Sequence, residues 1–495
     1  MPRQSGGLSE RSSIAAIGRR LMVAGGAQRS TAQVVLGLFL AIILLSGSAR
    51  SSVASSIDWP GYLGGPLHDS ASPATAITVA NAASLKRRWA FRAALPTMTG
   101  QPYPSFTASP IVFQGKVYIG SNSGIFYALD EATGHELWHQ FVGFRPKLTC
   151  GSGRGVTATA SAAFDPVSGR PTVYIAGGDG YLYAFDAFTG AIAWRSLVAL
   201  PSNTVNDYYN WASPLLANGR VYVGVSSHCD KPLVRGGVEA YDQVTGALTG
   251  AYWSVPAGTV GGAVWTSPAA DTDGSIFVTT GTPNKQDLGD APAVVRLNPN
   301  ASRDEAWTVP AADQTTGDAD FGGSPTVFTA TINGAVRHLI GACNKNGVFY
   351  ALDATSIASG PVWSFRVGIG TPQGVLACLA AASFDGSTLY LAGNATTVGG
   401  VSYAGSMRAL DPATGAVEWE TGLNSIVLGS PSINGSGIIA AATYGSGVTD
   451  GVYLINGATG QILVFLPTGK QFPQPVFADQ YLLIASRNVL GAWSP

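Results

Sequence analysis

One repeat limits this chain more than any other feature. The pattern A-x-D-x-x-T-G-x-x-x-W ends at Trp138 (ALDEATGHELW), Trp194 (AFDAFTGAIAW) and Trp419 (ALDPATGAVEW). Looser copies end at Trp253, Trp307 and Trp363, INGATGQILVF carries another unit near Val464, and Trp89 has the tryptophan without the motif. The repeat tryptophans at 89, 138, 194, 253, 307, 363 and 419 lie 49 to 59 residues apart. A near-fixed period above ~40 residues marks a propeller or a solenoid.

Each unit reads as four short strands. The first carries Ser-Pro, at Ser109, Ser213, Ser267, Ser324 and Ser430; the second is of the KVYIG or RVYVG type; the third is FYALD-like; the fourth ends in Trp. Alternating β-branched and aromatic residues between Gly, Asp and Asn turns are strand and hairpin signals. The T-G element makes the turn from third to fourth strand, its Gly taking positive φ. A four-stranded unit has two faces to cover, and radial stacking covers both. The final strands, YLLIAS and VLGAW, lack a fourth partner, and the strand of Trp89 lacks a blade. Pairing them closes the ring and removes its edges. The expected fold is all-β: an eight-bladed β-propeller over residues 56–495, closed by its N- and C-terminal strands. No tryptophan precedes Asp, which argues against WD repeats.

Composition agrees. Charged residues make up 12% of the 495, with a formal net charge of −1, against ~25% in ordinary soluble domains. A nucleic-acid protein needs a basic face that this chain lacks. The 63 glycines and 29 prolines disfavour long helices.

The one long apolar run, Val34 to Leu45, is twelve residues, short of the ~20 needed to span a bilayer. Arg19, Arg20 and Arg29 precede it, and small residues ending Ser52-Val53-Ala54 follow. Residues 1–55 are therefore expected to be a secretory signal, cleaved after Ala49 or Ala54, with an uncleaved anchor as the alternative. Export to the periplasm or beyond would permit disulfides. Cys150, Cys229, Cys343 and Cys378 allow three pairings, among which the sequence does not choose. No CxxC occurs, so a zinc ribbon and a c-type haem lack support.

The docking repeat, with Trp59-Pro60-Gly61-Tyr62 and the stretch from Asn81 to Trp89 ahead of it, resembles that of the pyrroloquinoline quinone (PQQ) dehydrogenases. Asp318-Ala319-Asp320-Phe321, followed by Asn344-Lys345-Asn346-Gly347, is most similar to the polyvinyl-alcohol dehydrogenase branch. The resemblance implies Asp320 as catalytic base and Lys345 as the cation beside the quinone oxygens. A carboxylate takes the alcohol proton while hydride leaves for the quinone, and an ammonium steadies the developing negative charge. Gly261-Gly262-Ala263-Val264-Trp265 resembles the segment whose Trp stacks on PQQ, and Arg154-Gly155 the Arg-Gly that binds a PQQ carboxylate. For Ca²⁺ the resemblance points to Asp230 and Asn284. Thr282 stands where the family has its Asn, and Asp230 falls where it has a Glu. Only Cys150 precedes Arg154, so the adjacent-cysteine pair common in the family's alcohol dehydrogenases is absent. The implied function is oxidation of an alcohol, with electrons leaving through an external acceptor. The rival class is a non-catalytic propeller that binds a protein or glycan. Convergence of Asp320 and Lys345 at one end of the central channel would discriminate between them.

Two other motifs mislead. His135-Glu136-Leu137-Trp138-His139 matches the zincin HExxH but falls in a strand, where residues four apart are ~13 Å apart. Gly435 to Ala440 matches GxGxxA without a surrounding βαβ unit.

Overall fold

The computed structural model describes residues 56–495, apart from 146–152, 199–207, 229, 231, 282–288, 315–317, 371–375 and 446–447. The expected signal segment lies outside the described residues. No helix among them is long and apolar enough to cross a membrane.

Eight sheets carry the chain, antiparallel except where the short strand Ala71–Ser72 pairs parallel with Ser432–Asn434. Blade 1 comprises Ile111–Phe113, Lys116–Gly120, Ile125–Asp130 and Glu136–Phe141, and blade 5 comprises Thr326–Ile332, Ala335–Cys343, Val348–Asp353 and Pro361–Arg366. In each the strands pair in sequence order from the channel outward. The closing blade joins Lys86–Arg92 to Val489–Ser494, Tyr481–Ser486 and Val476–Ala478. This is the expected eight-bladed propeller, sealed by its termini.

The repeat motif works as a dock between neighbouring blades. Trp138, Trp194 and Trp363 donate through Nε1 to the backbone oxygens of Ala187, Gln243 and Pro412 in the next blade's turn. Each indole lies over that turn's glycine: a Cβ on Gly190, Gly246 or Gly415 would come within 2.5–2.7 Å of it. Those glycines also have φ of +71°. Glycine is thus required twice, for the backbone angle and for the missing side chain. The motif Asp tightens the same turn: Asp186 Oδ1 accepts from Thr189 N and Oγ1, both at 2.9 Å.

The Ser-Pro serines sit just before the innermost strands, one step earlier than the sequence pattern suggests. There they link blade to blade around the channel. Ser109 N donates to Thr159 Oγ1, Thr159 N to Ser213 Oγ, Ser213 N to Ser267 Oγ and Ser267 N to Ser324 Oγ, at 2.9–3.0 Å. Ala381 N to Ser430 Oγ and Gln474 N to Ser109 Oγ continue the belt.

The segment from Trp59 to Ser70 hydrogen-bonds to inner strands of six blades, through Val112, Ala162, Ala270, Val327, Phe384 and Ile433. It follows the inner circle at one end of the channel and brings in Tyr62, whose ring meets His68 edge-on with centroids 5.4 Å apart.

Candidate active site

Channel walls and the loops above the serine belt enclose a cavity of about 930 Å³, inside the ~300–1,000 Å³ range of small-molecule sites. Five of the six residues singled out in the sequence line it: Arg154, Asp230, Trp265, Asp320 and Lys345. Asn284 lies outside the described residues, as does Thr282.

Asp320 and Lys345 are in contact. Lys345 Nζ is 3.0 Å from Asp320 Oδ2, and Lys345 N donates to the backbone oxygen of Asp320 at 2.9 Å. A tight turn aims the lysine. Asn344 Nδ2 holds Ala319 O, Asn346 N caps onto Asn344 Oδ1, and Gly347 has φ +87°. A Cβ on Gly347 would lie 2.2 Å from Gly368 O. Asp320 enters blade 5 against Gly281, where a Cβ would stand 3.0 Å from Asp320 Oδ1. The missing side chain makes room for the carboxylate.

Asp318 completes this cluster, and the sequence assigns it no role. Both its oxygens accept from Lys345 Nζ, at 2.8 and 2.9 Å. Burial, then the Asp320 charge, hold the Asp318 carboxyl above the usual carboxylate range. Burial works against the Lys345 ammonium, but Asp320 and Asp318 outweigh it and raise its pKa. Lys345 therefore stays charged through neutral pH. Its Nζ stands 5.1 Å from the centroid of the Trp265 ring.

Arg154 lies 5.0 Å over the Trp211 ring, and Trp211 stacks with His228 at an interplanar angle of 15°. Neither Trp211 nor His228 belongs to a repeat, so nothing in the pattern marks them. Asp230 accepts a short hydrogen bond from the Ser227 hydroxyl. Lys470 and Arg487 line the far wall beside Tyr103, Tyr444 and Phe472.

Cys343 and Cys378 form a disulfide; Cys150 and Cys229 lie outside the described residues. It ties the strand before Lys345 to the segment carrying Leu376 and Leu379, both in the cavity wall. Of the HExxH residues, Glu136 to His139 lie in a strand that His135 immediately precedes, with His139 Nδ1 on Glu136 Oε1 at 2.6 Å.

A flat indole, an ammonium beside it and further cations at Arg154, Lys470 and Arg487 suit a planar polyanion. PQQ, an aromatic quinone with three carboxylates, is such a group, and the residues present fit it. Calcium fares differently. Among the described residues no three His, Cys, Asp or Glu side chains gather as a metal site. Of the two expected ligands only Asp230 lies among the described residues.

The eight-bladed propeller thus carries a carboxylate–ammonium pair against an indole in its axial cavity. The chain belongs to the PQQ family described as the glucose/ethanol/alcohol dehydrogenase β-propeller domain, whose profile matches residues 59–365. It is 30% identical over 204 residues to the dehydrogenase subunit of the quinone alcohol dehydrogenase of Gluconobacter oxydans (strain 621H), covering 40% of this chain and 25% of that protein. The match thus spans about a quarter of that relative's length. Among solved structures, the quinohemoprotein alcohol dehydrogenase of Comamonas testosteroni superposes with a TM-score of 0.68 at 18% identity, covering 88% of this chain and 80% of that one. A europium-containing methanol dehydrogenase superposes with a TM-score of 0.70 at 15% identity, covering 89% and 98%. At these identities the two structures bear on the fold alone.

Proposed function

We propose that this protein is an exported PQQ-dependent dehydrogenase that oxidises an alcohol. The observation that carries the reading is the contact of Asp320 with Lys345 beside Trp265, inside one axial cavity. When bound, PQQ would supply the two-electron acceptor. Asp320, 6% exposed, is placed to take the hydroxyl proton of an alcohol at its carboxylate. Lys345 keeps a fixed positive charge at the indole face, where negative charge on a bound quinone would need it. Trp265 offers the flat surface, and Arg154 a guanidinium for a carboxylate.

The non-catalytic alternative gives no reason for a buried ammonium held between two carboxylates in the cavity. Such a charge set is costly to bury and is a mark of functional sites. Export rests on the sequence signal of residues 1–55. Ca²⁺ remains an expectation tied to Asp230 and Asn284.

The test is reconstitution of purified protein with PQQ, with and without Ca²⁺. Binding is followed by quenching of tryptophan fluorescence, and turnover by dye reduction with a panel of alcohols. Saturable binding and alcohol-dependent reduction are expected; absence of binding under both conditions would sink the reading.

A further inference from the structure

We propose that Asp318 is a positioning residue of this site: it shares the Lys345 ammonium with Asp320 and so sets how strongly that ammonium draws on the base. The proposal rests on the reading of Asp320 and Lys345 given above. An ammonium has three protons, and here three carboxylate oxygens take them, two from Asp318 and one from Asp320. All of the lysine's donors are committed, which fixes its head group over Trp265. The two carboxylates are not equivalent. The Asp318 side chain is 43% exposed and that of Asp320 9%. Asp318 is thus the wetter of the two partners.

The electrostatic consequence has a definite sign. Asp320 and Asp318 are the charges acting on Lys345, and Asp320 and Lys345 those acting on Asp318. Arg154, Asp230, Lys470 and Arg487 are the other charges lining the cavity. Neutralising Asp318 removes a like charge near Asp320 and leaves the whole ammonium to it. Both changes favour the ionised form of Asp320. A carboxylate held more firmly in its ionised form accepts the alcohol proton less readily.

The experiment compares wild type with Asp318→Asn and Asp318→Glu. In the PQQ-loaded protein, Asp318→Asn should move the acid limb of the kcat profile down by roughly one pH unit. Its plateau kcat should fall about tenfold, the loss expected when a general base is mistuned, with KM and PQQ affinity little changed. Asp318→Glu should restore both kinetic features. A wild-type acid limb and kcat in Asp318→Asn, or no rescue by Asp318→Glu, overturns the proposal. ¹³C NMR titration of Asp-labelled, cofactor-free protein, with Asp320 assigned from Asp320→Asn, reads the same shift without turnover. An unchanged Asp320 titration in Asp318→Asn also overturns the proposal. The shift present, with no alcohol oxidised by wild type, overturns the functional reading alone.

Discussion

The outer ring of motif turns and the mouth of the axial cavity are built from the same repeat, yet they use it in opposite ways. In the outer ring each turn does the same job. Gly190, Gly246 and Gly415 share one φ and lie under equivalent tryptophans. At the mouth the backbone still repeats while the side chains diverge. Ser121-Asn122-Ser123-Gly124, Gly177-Gly178-Asp179-Gly180 and Asn344-Lys345-Asn346-Gly347 form one kind of turn, with final-glycine φ of +85°, +91° and +87°. The first residue of each closes onto the strand beyond, at Ile125 O, Tyr181 O and Val348 O. Its second position holds Asn122, Gly178 or Lys345. What recurs maintains the ring; what departs from recurrence on an unchanged backbone marks the chemistry.

That contrast breaks if an outer substitution disables turnover directly, or an inner one unfolds the ring. Asp320→Asn keeps the side-chain shape and removes the base. Its kcat should fall by ~10²–10⁴, with Tm close to wild type by calorimetry. Trp194→Ala should do the reverse. The indole loses its packing on Gly246 and its hydrogen bond to Gln243 O. The expected cost is ~3–5 kcal/mol of stability, read by denaturant unfolding, with kcat per folded molecule unchanged. A Trp194→Ala protein of full stability would show that the motif turn is not what joins the blades.

The two regions also differ in how far the sequence revealed them. The outer ring was fully legible, because Asp-x-x-Thr-Gly and Trp recur at a fixed period and each copy repeats the same contacts. Asp320 and Lys345 were legible only through local resemblance. Nothing in the spacing of two residues 25 apart says that their side chains meet; the strand reversal between Asn344 and Phe321 brings them together. Asp318 stood inside the recognised motif without a role, because its partner is a lysine 27 residues away on another loop. Trp211 and His228 gave no signal, since their stack forms between segments outside any repeat. The serine belt was half legible. Five Ser-Pro pairs were visible, whereas Thr159, Ala381 and Gln474 fill equivalent places without the dipeptide.

The smallest expected effect sharpens the comparison from the outer side, where one motif turn breaks the rule. Ala187, Gln243 and Pro412 present their backbone oxygens to the docking tryptophans; in blade 1 the equivalent residue is Glu131, which accepts from Trp89 Nε1 at 2.9 Å. Glu131 is 4% exposed, and its Oε1 has no hydrogen-bond partner. Burial first, then Asp479, Asp58 and Asp130, push its carboxyl up to about 8. An unfolded Glu titrates near ~4.3. Between these values the folded chain holds a proton that the unfolded chain has released, so stability falls as pH rises through that window and levels off above it. Glu131→Gln removes the ionisation while keeping the shape. Its Tm should exceed wild type at pH 9, with the gap narrowing as pH falls toward 5. Differential scanning calorimetry across pH reads this directly. A gap independent of pH would mean that Glu131 is already ionised in the fold, and that even this irregular turn obeys the outer ring's rule.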